Sequence, residues 1–189
     1  MLSNLKISYR NYIYYKFFNS LFLGIGIGSY ISQYTPIKIS EIAILGIIFA
    51  VLSILIARLY TKIMFQKYFF IILLLVEFVM LFWMTFFLIF EFSHKIALLI
   101  YISRSITFLF GDYLGRAETH LMKRKKIFSI IDINKQMGMI VGMIIAVIFY
   151  YLLEQVYLIS DNQSKVYYIH FFLYIVELII IYLLIKSFR

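Results

Sequence analysis

IDINKQMGMIVGMIIAVIFYYLL, residues 131–153, joins a polar beginning to an uninterrupted apolar run. Asp132, Lys135 and Gln136 place an acid, a base and an amide within about one helical turn, and residues 137–153 carry no charge. A bilayer core takes about 20 consecutive apolar residues of α-helix. The stretch therefore predicts a membrane-spanning helix whose first turn lies where the lipid begins.

The composition extends this prediction to the whole chain. Of its 189 residues, 64% are hydrophobic, and the mean hydropathy is +0.95, whereas soluble domains are about 45–50% apolar. Because one water-soluble core of this size cannot hold such an excess, we expect an all-α, polytopic membrane protein in a lipid bilayer. The chain has no cysteine, which excludes disulfides and thiolate metal sites.

Six segments are long and apolar enough to cross a bilayer, and short polar connections separate them. They comprise approximately residues 12–34, 41–60, 69–90, 96–117, 128–151 and 167–186, here spans 1 to 6. The basic start and apolar middle of the first 33 residues could suggest a signal peptide. Because five more spans follow, we expect an uncleaved first span and a single six-helix domain over residues 1–189.

The net charge of +9 is concentrated at the ends of the spans. Basic residues lie before span 1, in the 2–3 connection, at the C-terminus and, most densely, in the 4–5 connection with KRKK at 123–126. By the positive-inside rule this distribution places both termini in the cytoplasm, and we expect the bacterial cytoplasmic (inner) membrane. Since orientation accounts for the charge, we expect no nucleic-acid partner.

Ionisable residues also lie inside the spans, where each costs about 2.5–3.5 kcal/mol at the helix centre unless it is paired or solvated. The candidates for a substrate or ion pathway are Glu77, Arg104, Asp112 and Glu177. Arg104, Asp112 and Arg116 follow a four-residue spacing, which predicts a shared helix face. Arg104 either bridges to Glu177 or Glu77 and locks the bundle, or lies in a water-filled site; a buried ion pair is a poor stabilising device.

Small residues recur at a spacing of four in three spans, a pattern that lets helix backbones approach closely. We expect helix packing at Gly24, Gly28, Gly111, Gly115, Gly138, Gly142 and Ala146. On span 5 this stripe predicts a contact with a helix of another subunit.

The segments LLLVEFV around Glu77 and LYIVELI around Glu177 are alike, and each lies in the third helix of a set of three. This similarity leads to the hypothesis of a 3+3 internal repeat with inverted topology.

Enzyme motifs do not account for the polar residues. The sequence has no GxSxG, no phosphate-binding loop and no closely spaced histidine pair. GDYLGRAETH, residues 111–120, lacks the second aspartate that membrane phosphotransferases acting on CDP-alcohols use to hold Mg²⁺. We therefore expect no enzymatic activity, no cofactor and no bound metal.

The chain resembles one six-helix half of a major facilitator superfamily transporter. YISRSITF, residues 101–108, is similar to the span-4 motif of that family, in which an arginine at the place of Arg104 faces a central cavity. GMIVGMIIA, residues 138–146, is similar to the opening of its span-5 glycine motif. The resemblance implies alternating access for a small solute, with Asp132, Lys135, Gln136 and Arg116 at a cytoplasmic gate between two halves. Local pairing of Asp132 with Lys135 is the alternative for these two residues.

Half a transporter cannot enclose a cavity, so the resemblance implies a second six-helix subunit, either a copy of this chain or a paired chain. Two other classes stay open. One is a substrate-binding subunit of an energy-coupling-factor transporter, which has this length and topology. The other is a membrane interaction protein that transports nothing.

The topology is tested by single cysteines, because the chain has none of its own. In intact cells, Ser164→Cys is expected to react with a membrane-impermeant thiol reagent, and Ser187→Cys is expected to stay unlabelled. The opposite labelling would overturn the orientation.

Overall fold

The structure, a computed structural model, describes residues 6–29, 37–90, 93–122 and 125–188. These residues form seven α-helices, with a 3₁₀ turn at Ile27–Ser29 after the first. Their bounds are α1 Tyr9–Gly26, α2 Ile39–Ile63, α3 Gln66–Ile89, α4 His94–Leu109, α5 Gly111–Leu121, α6 Lys125–Gln155 and α7 Asn162–Ser187.

Five helical segments are long and apolar enough to cross a membrane, which confirms the prediction of an all-helical chain with membrane-spanning helices. They are Ile39–Ile63, Gln66–Ile89, His94–Leu121, Lys126–Gln155 and Asn162–Ser187. The third of them contains both α4 and α5, which meet at Phe110. Among the described residues α1 does not qualify, and residues 30–34 of predicted span 1 lie outside the described part.

The low hydropathy of α1 has a structural explanation. One polar face of α1 is turned toward the other helices, since Tyr12 and Tyr15 are buried and only 12% of the Lys16 side chain is exposed. α1 packs mainly against α6 and α7. It is therefore an inner helix whose polar face is covered by protein.

Glycines bring α1 and α6 into backbone contact. A Cβ atom added at Gly138 would meet the carbonyl oxygen of Phe17, and one at Gly142 would meet that of Leu21. The same added atom at Gly142 would lie 3.1 Å from the Cα of Gly24. Only residues without a Cβ allow the two helices to approach this closely.

This contact corrects the prediction that another subunit covers the glycine face of span 5. α1 of the same chain occupies that face, and the buried Ala146 continues it. Gly111 and Gly115 were predicted to bring helices together, but open space surrounds both of them in the described structure. Gly28 lies in the 3₁₀ turn that ends α1.

α2 lies at the periphery of the bundle. It has no buried residue, although it is long and apolar enough to cross a membrane. It packs on α4 and, less extensively, on α5. Hydroxyl groups add to this contact, because Tyr101 donates to the carbonyl of Ile42 at 3.3 Å and Tyr113 donates to that of Ile63 at 2.7 Å.

The beginning of α1 and the end of α7 lie side by side. The backbone N–H of Ser8 donates to the carbonyl of Ser187 at 2.8 Å, and the Asn11 amide donates to the carbonyl of Lys186 at 3.1 Å. Ser187 is thereby fully buried, so an unlabelled cysteine there would not report sidedness alone. Thr119, which is exposed near the end of α5, makes the better probe of the side predicted to be cytoplasmic.

The connection between α6 and α7 is held by polar contacts at the surface. Lys165 bridges to Glu154 at 3.0 Å, and Asp161 caps α7 by accepting from the backbone N–H of Ser164 at 2.8 Å. This backbone hydrogen bond, together with one from the Ser164 hydroxyl, lowers the pKa of Asp161. The cap therefore stabilises α7 at neutral pH, and its contribution is lost as the pH falls through the lowered pKa.

Gly142→Ala is expected to destabilise the folded chain by about 1–3 kcal/mol, because its Cβ atom would press on the backbone of α1. The unfolding midpoint in detergent, followed by the fluorescence of the single tryptophan, Trp83, measures this loss. Gly115→Ala, which adds the same atom in open space, is the matched control and is expected to change the midpoint little. If Gly142→Ala separated subunits and left the midpoint unchanged, the α1–α6 contact would be wrong.

Candidate functional site

A polar stripe runs along α1 toward the inside of the bundle. Tyr12, Tyr15, Lys16 and Asn19 follow the spacing i, i+3, i+4 and i+7, which places their side chains on one helix face. This face meets two buried carboxyl groups, one on α3 and one on α5. The stripe therefore connects two acidic centres at different depths of the bundle.

The deeper centre is a pair of glutamates near the middle of α3 and of α7. Glu77 is 2% exposed and Glu177 is 1% exposed, and their carboxyl groups face each other within hydrogen-bonding reach. α1 supplies two donors to the same oxygen of Glu77: the Tyr15 hydroxyl at 2.6 Å and the Asn19 amide at 3.2 Å from Oε1. Among the described residues, Oε1 of Glu177 has no hydrogen-bond partner.

The second centre lies around Glu118, near the end of α5. One carboxylate oxygen accepts from the Tyr12 hydroxyl at 3.0 Å, and the other pairs with Lys16 at 3.0 Å. Lys135 of α6 approaches this second oxygen at 3.6 Å and Asp132 at 3.7 Å. Because the Asp132 side chain is 72% exposed, the cluster leads from the surface to the inner face of α1.

Arg104 lies apart from both acidic centres. It is 5% exposed, and its guanidinium group lies 5.3 Å from the ring centroid of Trp83. It lines a cleft of about 380 Å³ between α2 and α4, together with the hydroxyl-bearing residues Ser53, Tyr101 and Ser105. The combination of one cation, several hydroxyl groups and apolar walls suits a small solute with an anionic or polar group.

The structure brings together some of the residues predicted from sequence. Glu77 and Glu177 meet across α3 and α7. Asp132 and Lys135 form the local i,i+3 pair that was the alternative to a gate. Arg104 bridges neither Glu77 nor Glu177 among the described residues, so the locking bridge is not formed.

Other predicted residues stay at the surface of the chain. Asp112, Arg116 and Gln136 are exposed, and no ion pair joins Asp112 to Arg116 in the described structure. The four-residue spacing does not give Arg104 and Asp112 the same surroundings, because the chain turns at Phe110 between α4 and α5. Arg104 is consequently buried, and the two charged residues of α5 face outward.

Sequence reasoning missed the side chains that organise both acidic centres. These are Tyr12, Tyr15, Lys16 and Asn19 of α1 and Glu118 of α5. For the four residues of α1 the available signal was their helical spacing, because polar residues that recur on one face of a membrane helix predict a face covered by protein. The position of Glu118 gave no such signal.

Comparison with protein-family models, with curated proteins and with solved structures gives no match to this chain. Within the described residues, histidine and acidic side chains do not form a group of three or more that could hold a metal ion. The two acidic centres and the Arg104 cleft are therefore the features from which a function can be argued.

Glu118→Gln is expected to destabilise the protein by about 3 kcal/mol, because it leaves Lys16 buried without its carboxylate. Combining it with Lys16→Met should cost less than the sum of the two single changes, measured by unfolding in detergent. Glu154→Gln removes the carboxylate from an exposed pair with Lys165 and should cost about 1 kcal/mol or less. Equal effects of Glu118→Gln and Glu154→Gln would contradict a buried network.

Proposed function

We propose that this chain is one six-helix half of a secondary transporter that resembles the major facilitator superfamily and moves a small solute by alternating access. In this proposal α1 is span 1, α2 and α3 are spans 2 and 3, α4 with α5 is span 4, and α6 and α7 are spans 5 and 6. Both termini lie in the cytoplasm, and the membrane is the bacterial cytoplasmic membrane.

The observation that carries the proposal is the pattern of helix packing. α1 packs on α6 and α7, the α4–α5 span packs on α2 and α3, and α3 packs on α7. Exchanging the first three spans with the last three converts the two contacts of α1 into the two contacts of the α4–α5 span and leaves the α3–α7 contact unchanged. Three spans are an odd number, so the second set of three begins on the opposite side of the membrane from the first. The packing pattern therefore supports a 3+3 repeat with inverted topology.

Two further contacts agree with six spans. The hydrogen bond from Ser8 to Ser187 joins the start of α1 to the end of α7. A chain whose start and end lie on the same side of a membrane crosses it an even number of times. Five crossings would put these ends on opposite sides, whereas α1 as a sixth span would bring them to the same side, which supports the proposed six spans. Glu77 and Glu177 occupy corresponding third helices and meet where an axis relating the repeats would pass.

The repeat makes the α1–α6 and α2–α4 contacts equivalent, but their packing differs. Backbone contact at Gly138 and Gly142 closes the first, whereas the cleft that holds Arg104 and Ser53 keeps the second open. Gating of one repeat against the other around a fixed site is a recurrent basis of alternating access. The open side is therefore proposed as the solute path, with Arg104 as its cationic group.

The surface supports a second six-helix subunit, either a copy of this chain or a paired one. Asp112 and Arg116 are exposed on a segment apolar enough to cross the membrane, and charges facing lipid are costly. A partner that covers α2 and the outer face of α5 would remove them from lipid. Gln136 and Arg116 would then lie at the cytoplasmic gate, beside the local pair of Asp132 and Lys135.

Cysteine labelling tests whether the cleft holds water. Ser53 lines the cleft beside Arg104, and its neighbour Ile54 is 58% exposed on the outside of α2. Ser53→Cys is expected to react with a small, membrane-impermeant thiol reagent in native membranes, because thiolate forms in water. Ile54→Cys, at nearly the same depth but facing lipid or a partner, is the control and should stay unreacted.

Alternating access predicts a second property of the same variant. Ser53→Cys should become reactive from both sides of the membrane, tested separately in right-side-out and inverted vesicles, as the protein exchanges between states. Reaction of neither cysteine, or equal reaction of both, would count against a water-filled solute path.

A further inference from the structure

The Glu77–Glu177 pair holds two carboxyl groups with almost no exposure, 2% and 1%. An ionised carboxylate can only accept hydrogen bonds, so a hydrogen bond between two carboxyl groups needs a proton on one of them. Two ionised carboxylates in contact inside a low-dielectric bundle would also repel strongly. The pair therefore contains one more proton than two ordinary glutamates would carry.

The surroundings indicate which of the two glutamates carries the proton. Tyr15 and Asn19 both donate to Oε1 of Glu77, and hydrogen bonds to a carboxylate favour its ionised form. Glu177 receives no such help, because its Oε1 has no hydrogen-bond partner among the described residues. Glu177 is therefore the protonated member, and it donates to Glu77.

We propose that Glu77 and Glu177 form a single-proton binding site that exchanges its proton with one side of the membrane. This inference rests on the proposed transporter, in which the proton would be the coupling ion. Binding forms an O–H bond on Glu177, and release returns that proton to water and leaves two carboxylates. No electron is transferred in either direction.

The polar stripe of α1 places hydrogen-bonding groups between the pair and the surface. Tyr15 donates to Glu77, and Tyr12 and Lys16, which share its helix face, both donate to Glu118. Glu118 in turn reaches Lys135, which lies beside the exposed Asp132. The groups facing the pair are thus Tyr15, Lys16 and Asn19 from α1, with the glutamates themselves from α3 and α7.

Proton release would couple to helix packing. It would place two negative charges at the contact between α3 and α7, the two helices that correspond in the proposed repeat. Repulsion there would favour a packing in which these helices separate or Lys16 moves toward the pair. The protonation state would in this way bias one arrangement of the two repeats over the other.

Infrared spectroscopy of the protein in an ester-free detergent tests the site. At neutral pH we expect one C=O stretching band from a protonated carboxyl group, which shifts when the protein is grown with ¹³C-labelled glutamate. Glu177→Gln should abolish the band, because Glu77 with its two donors stays ionised. Glu154→Gln, at an exposed carboxylate, is the control and should retain it.

Exchange with solvent is tested by transfer into D₂O. The band should shift as its proton is replaced, and Tyr15→Phe should slow this shift several-fold. Tyr14→Phe, which removes the same hydroxyl from the exposed side of α1, should leave the rate unchanged.

Three results would overturn the proposal: no protonated-carboxyl band in the ¹³C-sensitive wild-type spectrum, a band that persists in folded Glu177→Gln, or a band that does not shift in D₂O. The missing band and the band that does not shift are both measured on the wild-type protein, so these two tests remain decisive even if Glu177→Gln misfolds. A band that behaves as expected while Ser53→Cys stays unlabelled would keep the proton site and reject the transporter. Labelling of Ser53→Cys as expected, together with no protonated-carboxyl band, would reject the proton site alone.

Discussion

The close approach of α1 to α6 is the contact on which the rest of the structure depends. α1 is the least apolar of the long helices and carries Lys16 and Asn19 in its interior. Such a helix is stable in a membrane only if protein covers its polar face. Gly138 and Gly142 let α6 hold α1 at backbone distance, and the opposite face of α1 then reaches the carboxyl groups of α3 and α5. The glycine contact with α6 therefore positions α1 so that its polar face meets the carboxyl groups.

Two buried charged groups of the bundle lie in different surroundings. Arg104 lies over Trp83 and lines the cleft between α2 and α4, whereas Glu77 and Glu177 face each other between α3 and α7. A buried ion pair contributes little net stability, so burial alone does not dictate that these groups meet.

The two glutamate centres also differ from each other in a way that their positions explain. Glu118 lies near the end of α5 and has Lys16 and Lys135 as partners, so it is compensated by opposite charge. Glu77 lies deep in the bundle and accepts hydrogen bonds from the neutral donors Tyr15 and Asn19. Compensation by charge suits a permanent contact, whereas compensation by neutral donors leaves a site whose charge can change when a proton arrives or leaves.

By itself the sequence determined the class of the protein, because apolar length and the scarcity of charge follow from the thickness and dielectric of a bilayer. It also identified Glu77, Arg104 and Glu177 as buried charges and Gly138 and Gly142 as sites of close packing. Only the tertiary structure decided which groups meet. Glu77 meets Glu177, and Lys16 meets Glu118, across about a hundred residues of chain. The glycine face of α6 receives α1 rather than another subunit. The physical reason is that burial in lipid selects which segments are inserted, whereas backbone fit and polar contacts select the partner of each helix, and neither of these can be read from a single span.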